Sequence, residues 1–386
     1  MRYIAWSVVF GLALIGCGSS TAESLLEPSS VQADSGTQDV APDITADQAA
    51  EATDHPDVSD DVIVDVALEV ASDIAPEVVD EPVETVPDPM VSPDVPVTEW
   101  KGKLSPGSMV SKEMVGFRPT ADPPSGELYP LVVFARDHQA QKDSYKKTMK
   151  HIAQFGYVTA SVDYDLGLLD PDHHAPVENL KRAIDVLTTK PPDNVGNVVD
   201  PKRIAAMGHA VGGKAAVWLA LEDPRVSAVI TLSPVDDDPG SLVGSSHRPS
   251  LAPEQMGKFK VPALFLGAAL GSSSNSCAPS ASNACRFFES VPDKTTAWLG
   301  VLEAFGHLQF IDDYDCLLLC GSCPRGPKAE HEKRQLVFRG LSVAFLQLQF
   351  RHASGYLSWL EGTERTSLET ANFLLDTAEQ GNFCKP

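Results

Sequence analysis

Short apolar runs alternate with amphipathic stretches from residue 131 to about residue 350. Leu131–Phe134 and Tyr157–Val162 are rich in apolar and β-branched residues, the pattern of strands that are buried on both faces. Between Val177 and Leu187, apolar residues recur at helical spacing, and the stretch ends before Pro191. Further strands are predicted at 204–207, 228–232, 263–266 and 297–302, and further helices at 144–154, 214–221 and 335–350. This alternation predicts an α/β class fold with a mostly parallel central sheet, covered by helices on both faces.

The first seventeen residues have the pattern of an export signal. Arg2 supplies positive charge and is followed by an apolar run over 4–15, which is too short to span a bilayer as a helix. The run closes with Leu14-Ile15-Gly16-Cys17, which resembles the lipobox of bacterial lipoproteins. The resemblance implies cleavage before Cys17, acylation of Cys17 and anchoring to the membrane. Because Gly18 follows instead of Asp, we expect the outer membrane of a bacterial cell envelope; an ordinary signal peptide with a chance cysteine is the alternative.

The net charge of −23 is concentrated in one segment. Residues 18–100 contain 21 Asp and Glu residues and no Lys or Arg, whereas residues 101–386 contain 32 acidic and 29 basic residues. A segment built from acids, Val and Pro with few aromatic residues cannot bury enough apolar surface to offset its chain entropy. We therefore predict a disordered, extended acidic tether over 18–100 and one folded domain over 101–386. An acidic interaction tail and a calcium-binding tract remain alternatives for the tether. The negative charge argues against a nucleic-acid partner.

Six cysteines follow Cys17, an even number that favours disulfide bonds in an exported chain. Six cysteines allow fifteen pairings, and the sequence does not select one. Cys316, Cys320 and Cys323 are spaced closely enough to suggest a metal site instead, but no clean second pair or neighbouring histidines complete the pattern. We predict disulfides, no metal and no cofactor.

A glycine-rich turn follows the predicted strand 204–207. Its residues are Gly208, His209, Ala210, Val211, Gly212 and Gly213. Serine hydrolases of the α/β-hydrolase fold place Gly-x-Ser-x-Gly at such a turn, where the glycines permit a strained backbone that presents the serine. Ala210 stands in the nucleophile's position, and a methyl group cannot attack a carbonyl. A phosphate-binding loop is the other interpretation of these glycines, but the flanking sequence opposes it.

Several segments in the same order resemble chlorophyllase and its relatives among the dienelactone-hydrolase-like and polyester-hydrolase-like esterases. They are 131–134, 154–158, the turn 208–213, Leu232-Ser233-Pro234-Val235-Asp236, the Gly-rich 267–279 ending in Cys-Ala-Pro, and Phe305-Gly306-His307. The resemblance covers roughly residues 128–350. The resemblance implies an α/β-hydrolase fold and carboxylic ester hydrolysis by a serine triad.

The departures from that family concern the catalytic residues themselves. The resemblance places the nucleophile at Ala210, the acid at Ser233 and the base at His307, so only the base keeps its chemistry. Asp236 or Asp237 would serve as a substitute acid if the loop shifted. In the oxyanion loop, Arg136-Asp137 replaces the family's His-Gly, and His138 follows. A carboxylate at Asp137 would repel a developing oxyanion.

These changes favour a pseudoenzyme that binds an apolar ester-like ligand or an envelope protein. The alternatives are a residual or re-routed ester hydrolase, in which His307 activates water, and a purely structural envelope protein. We interpret His307 as a relic of a triad and His209 as a packing residue of the turn. His173 and His174 lie in a polar stretch and are expected to be exposed to solvent.

Overall fold

The computed structural model describes residues 84–105, 111–138, 140–165, 172–236, 247–271, 277–312 and 323–385. The predicted signal peptide, Cys17 and the tether up to residue 83 lie outside these ranges. Within them, no helix combines the length and apolar character that crossing a membrane requires.

An eight-stranded sheet forms the centre of the domain. Its strands are β1 (Val97–Lys103), β2 (Glu113–Pro119), β3 (Tyr129–Ala135), β4 (Val158–Val162), β5 (Val199–His209), β6 (Val226–Leu232), β7 (Ala263–Ala268) and β8 (Ala297–Leu302). The spatial order is β1-β2-β4-β3-β5-β6-β7-β8. β2 pairs antiparallel with β1 and β4, and the other neighbouring strands are parallel. The predicted mostly parallel sheet is confirmed, although the sequence pattern misses β1 and β2.

Helices connect the strands and close the domain. They are α1 (Lys146–Gln154), α2 (Ala175–Thr189), α3 (Val211–Glu222), α4 (Arg286–Glu289), α5 (His331–Arg351), α6 (Leu357–Glu361), α7 (Thr363–Thr370) and α8 (Thr377–Phe383). Each helix predicted from the sequence is present, whereas the short α4 and the C-terminal α6, α7 and α8 were not predicted.

Two apolar cores lie on the two faces of the sheet. Alternate residues of β3 show the division, because successive side chains of a strand point to opposite faces. Leu131 and Val133 belong to the core that includes residues of α2 and α3. Val132 and Phe134 belong to the core that includes residues of α1 and α5. The predicted helix layers on both faces are therefore confirmed.

The folded domain begins before residue 101, the boundary that composition suggested. Trp100 of β1 is 1% exposed, and β1 pairs with β2 along its whole length. Ahead of it, Pro89 O accepts a hydrogen bond from His151 Nε2 (2.8 Å), and Ser92 Oγ lies 2.7 Å from His151 Nδ1. Residues 84–100 share the tether's acids and prolines, but Trp100 and these contacts attach them to the domain. The boundary at 100 is corrected to one at or before 84.

Disulfide bonds join Cys277 to Cys323 and Cys285 to Cys384. The prediction of disulfides is confirmed for these four cysteines. Because Cys323 is bonded to Cys277, it is not a thiolate ligand of the zinc alternative. Cys316 and Cys320 lie outside the described residues.

Candidate active site

The turn between β5 and α3 has the backbone geometry of a nucleophile elbow. Ala210 sits at φ 55° and ψ −122°, a region that side-chain-bearing residues rarely adopt. Its amide donates to Leu232 O at 3.0 Å. A Cβ on Gly208 would approach Gly212 O to 2.1 Å, and a Cβ on Gly212 would approach Ala135 O to 2.2 Å. These glycines let β5, α3 and the end of β3 pass close together, with Ala210 held at the crossing.

A serine hydroxyl occupies the place of the triad's acid. Ser233 follows β6 at φ 41°, and its Oγ lies 2.8 Å from His307 Nδ1. The two side chains therefore keep the relative placement of acid and base. A neutral hydroxyl can orient an imidazole, but it cannot stabilise an imidazolium as a carboxylate does.

His307 is buried at the start of a short 3₁₀ turn after β8. Burial lowers the pKa of His307, although the negative charge of Asp137 acts in the opposite direction. The imidazole is therefore neutral near pH 7. Among the described residues, the hydrogen-bond partner of its side chain is Ser233 through Nδ1, which leaves Nε2 available for a proton.

His209 belongs to a buried hydrogen-bond chain behind the elbow. Its Nε2 donates to His307 O at 3.0 Å, and its Nδ1 accepts from Tyr145 OH at 2.8 Å. Tyr145 OH in turn accepts from the amide of Asp137 at 3.1 Å. Burial, reinforced by the neighbouring imidazole of His307, lowers the pKa of His209 to about 3. A neutral His209 therefore fixes the positions of the residues around it.

The oxyanion loop is folded in a way that opposes oxyanion binding. The amide of Asp137 is directed to Tyr145, and Arg136 Nη1 donates to the carbonyls of Asp137 (2.9 Å) and His138 (3.1 Å). Asp137 Oδ1 bonds to His138 Nδ1 at 2.9 Å. Burial alone would raise the pKa of Asp137, but the hydrogen bond to His138, reinforced by the neighbouring imidazoles of His209 and His307, brings it below the usual range. A buried carboxylate is therefore ionised where an ester hydrolase would stabilise negative charge.

The proposed substitute acid, Asp236, is bound elsewhere. Its carboxylate accepts from Ser250 Oγ (2.7 Å) and from the amides of Leu251 (2.9 Å) and Ala252 (3.0 Å). Lys214 Nζ lies 3.4 Å from Oδ1. In the part of the chain that the structure describes, His307 is not among its partners. The alternative in which Asp236 supplies the acid is therefore not supported, since its oxygens accept hydrogen bonds from donors of another loop. Asp237 lies outside the described residues.

Sequence reasoning missed the buried cation beside the elbow and misplaced one histidine. Lys214 is fully buried in α3, and its Nζ lies 3.4 Å from His173 Nδ1. His173 is 4% exposed, so the expectation of a solvent-exposed His173 is wrong. Burial, together with the charges of Lys214 and Arg248, lowers the pKa of His173 to about 3. The lysine inside an otherwise apolar helix, 211–221, was the available signal.

The amino-acid sequence of this chain is similar to the sequences of several known proteins. A sequence model of the chlorophyllase family matches residues 108–373. Cutinase est1 of Thermobifida alba is 28% identical over 173 residues, which are 45% of this chain and 51% of that protein. Chlorophyllase type 0 of Chenopodium album is 23% identical over 249 residues, which are 59% of this chain and 70% of that protein. Lipase 1 of a Moraxella strain is 34% identical over 98 residues, which are 24% of this chain and 30% of that protein. The chain thus spans about half the length of the first of these relatives.

The family match covers more than half of the chain and includes the elbow, Ser233 and His307. The chain therefore belongs to the chlorophyllase family, and its α/β-hydrolase fold, inferred above from motif order, is confirmed.

Proposed function

We propose that this chlorophyllase-family domain has lost serine-esterase catalysis and acts by binding an apolar, ester-like ligand. The observation that carries the proposal is Ala210 at φ 55° in the position of the nucleophile. Removing a triad nucleophile costs on the order of 10⁶ in kcat. Ser233 in the acid's place and Asp137 in the oxyanion loop support the same conclusion, because each weakens a different part of the catalytic arrangement.

The test is hydrolysis of short- and medium-chain p-nitrophenyl esters by the full chain. We expect no turnover by the wild type above that of His307→Ala. Ala210→Ser alone should restore little activity, because Ser233 leaves the imidazole without a carboxylate. The double variant Ala210→Ser with Ser233→Asp should be more active than Ala210→Ser alone, and a fluorophosphonate should label this double variant but not the wild type. Wild-type turnover that disappears in His307→Ala would overturn the proposal.

That overturning result would favour the second candidate, an ester hydrolase in which His307 activates water directly. Its supporting observation is the neutral, buried imidazole with Nδ1 held by Ser233 and Nε2 available. A base in this state can take a proton from water. Ser233→Ala separates the two candidates further. If His307 activates water, Ser233→Ala should turn over esters more slowly than the wild type, because the imidazole loses the partner that orients it.

We also propose that Cys17 carries a lipid and anchors the chain to the bacterial envelope, and that the acidic tether places the domain at the outer membrane. The Leu-Ile-Gly-Cys ending of the apolar run supports this address. Fatty-acid labelling in a bacterial host should mark the wild type and spare Cys17→Ser, which should also leave the membrane fraction. Equal labelling of the wild type and Cys17→Ser would contradict the lipid anchor. If the anchored chain captures an envelope protein, that protein, rather than a small ester, would be the bound partner.

A further inference from the structure

A group of side chains at the junction of α2 and α3 has the composition of a metal site. His174 precedes α2, Glu178 lies one turn later, and Glu222 is the last residue of α3. One ligand atom from each of the three residues lies within 4.8 Å of the others. We propose that these residues bind a divalent transition-metal ion of the Zn²⁺ class, at a site separate from the elbow.

The distances suit such an ion. His174 Nε2 lies 3.1 and 3.2 Å from the two carboxylate oxygens of Glu222. Zinc binds imidazole nitrogen and carboxylate oxygen at about 2.0–2.2 Å in a tetrahedral arrangement, so neighbouring ligand atoms in such a site lie roughly 3.3–3.5 Å apart. His174 and Glu178 are four residues apart, which places them on one face of α2. Small side-chain rotations therefore bring all three ligands to one ion.

The imidazole is already held in position. Its ring packs against the ring of Trp218 in a T-shaped arrangement, with ring centroids 4.7 Å apart, and Trp218 lies one turn before Glu222 on α3. The amide of His174 donates to Asp172 Oδ1 at 2.9 Å. The side chains of His174 and Glu222 are about one-third exposed. An ion can thus reach the site from solvent and keep water in its remaining coordination position.

A cation already occupies the space between the carboxylates. Lys181 Nζ lies 3.1 Å from Glu178 Oε1 and 2.5 Å from Glu222 Oε2. The folded chain therefore concentrates negative charge at this point independently of the histidine. Lys181 must swing aside when a metal ion binds, so it competes with the ion. This competition gives the proposal a test that a simple surface ion pair would fail.

The ligand types select the class of ion. Imidazole with two carboxylates suits Zn²⁺, Co²⁺, Ni²⁺ and Cu²⁺, whereas Mg²⁺ and Ca²⁺ prefer sites made only of oxygen. Binding would link the start of α2 to the end of α3, the helix that begins at the elbow. An ion that binds the folded chain and not the unfolded chain stabilises the fold. A metal ion at this site would therefore stabilise the packing of α2 against α3 on one face of the sheet.

Trp218 supplies a local readout, since a paramagnetic ion bound at His174 quenches its fluorescence. The full, oxidised chain is titrated with Co²⁺, and Zn²⁺ is then added as a competitor. We expect His174→Ala and Glu222→Gln to weaken binding by about tenfold or more. Lys181→Met should tighten binding by up to about fivefold, the range of an exposed ion pair. Trp218→Phe should abolish the signal while calorimetry still detects Zn²⁺.

His352→Asn is the matched control, because His352 follows α5 and is exposed. Its affinity should equal that of the wild type. The proposal is overturned if His174→Ala leaves the quenching midpoint unchanged, or if Lys181→Met fails to tighten binding. It is also overturned if His352→Asn weakens binding as much as His174→Ala does. Because none of these residues belongs to the elbow, the result is independent of whether the chain hydrolyses esters.

Discussion

Replacing Asp236 with Ala tests whether this carboxylate is a structural group or a reserve catalytic acid. The substitution removes the acceptor of the Ser250 hydroxyl and of the Leu251 and Ala252 amides. It also removes the carboxylate that pairs with Lys214, and both side chains of that pair are almost wholly buried. A buried donor without an acceptor costs roughly 1–3 kcal/mol, and breaking a buried ion pair costs roughly 3–5 kcal/mol. These contributions overlap, so we expect the free energy of unfolding to fall by about 3–5 kcal/mol.

Urea unfolding of the full chain, followed by circular dichroism, measures the change. Asp236→Asn should fall between Ala and the wild type, because its carbonyl still accepts a hydrogen bond but carries no charge for Lys214. Asp122→Ala is the control, since Asp122 pairs with Arg118 at the surface and its side chain is 78% exposed; a loss under about 1 kcal/mol is expected there. If Asp236→Ala costs no more than Asp122→Ala, the structural interpretation of Asp236 is refuted.

Two further predictions concern pH and the elbow. Burial lowers the pKa of His151 to about 4 from its ordinary value of 6.5, so below pH 6.5 the unfolded chain binds the proton and the folded chain does not. The contribution of His151 to the free energy of unfolding should therefore be constant above pH 6.5 and fall by roughly 1.4 kcal/mol per pH unit between pH 6.5 and 4. Urea titrations between pH 7 and 5 should show a smaller dependence of the free energy of unfolding on pH for His151→Gln than for the wild type. An unchanged pH dependence would contradict the assignment. Ala210→Gly should raise the free energy of unfolding by about 1 kcal/mol, because relief of roughly 1–3 kcal/mol of backbone strain exceeds glycine's entropic cost of roughly 0.5–1 kcal/mol. A lower urea midpoint for Ala210→Gly would show that the turn is not strained.

The parallel part of the sheet could be predicted because its signals are local. The runs at Leu131–Phe134 and Tyr157–Val162 are apolar enough to indicate strands buried on both faces. β3 contains the first run, and β4 begins one residue after the start of the second. Gly208 and Gly212 likewise mark the elbow, since only glycine fits the close approaches there. β1 was missed because it follows a long acidic segment, and its assignment depends on pairing with β2 and on burial of Trp100.

The partners of the site residues could not be predicted, because they depend on contacts between distant segments. Asp236 follows β6 closely enough to suggest a triad acid, yet donors at Ser250 and Leu251 take its oxygens. Arg136 was noticed only as a departure from the family's loop. Its hydrogen bonds to the carbonyls of Asp137 and His138, which fix that loop, depend on backbone orientation that no sequence pattern reveals.

The strained backbone at Ala210 shows why an elbow identifies a family and not an activity. Ala210 keeps φ 55° although no nucleophile benefits from it. The packing of Gly208 against Gly212 and the bond from the Ala210 amide to Leu232 O impose that conformation whatever side chain is present. Because these contacts belong to the core that joins β5 to α3, changing Ser to Ala there would remove the chemistry and leave the fold intact. Catalysis can therefore be lost at single side chains while the scaffold is retained, and activity must be judged from the side chains in the site.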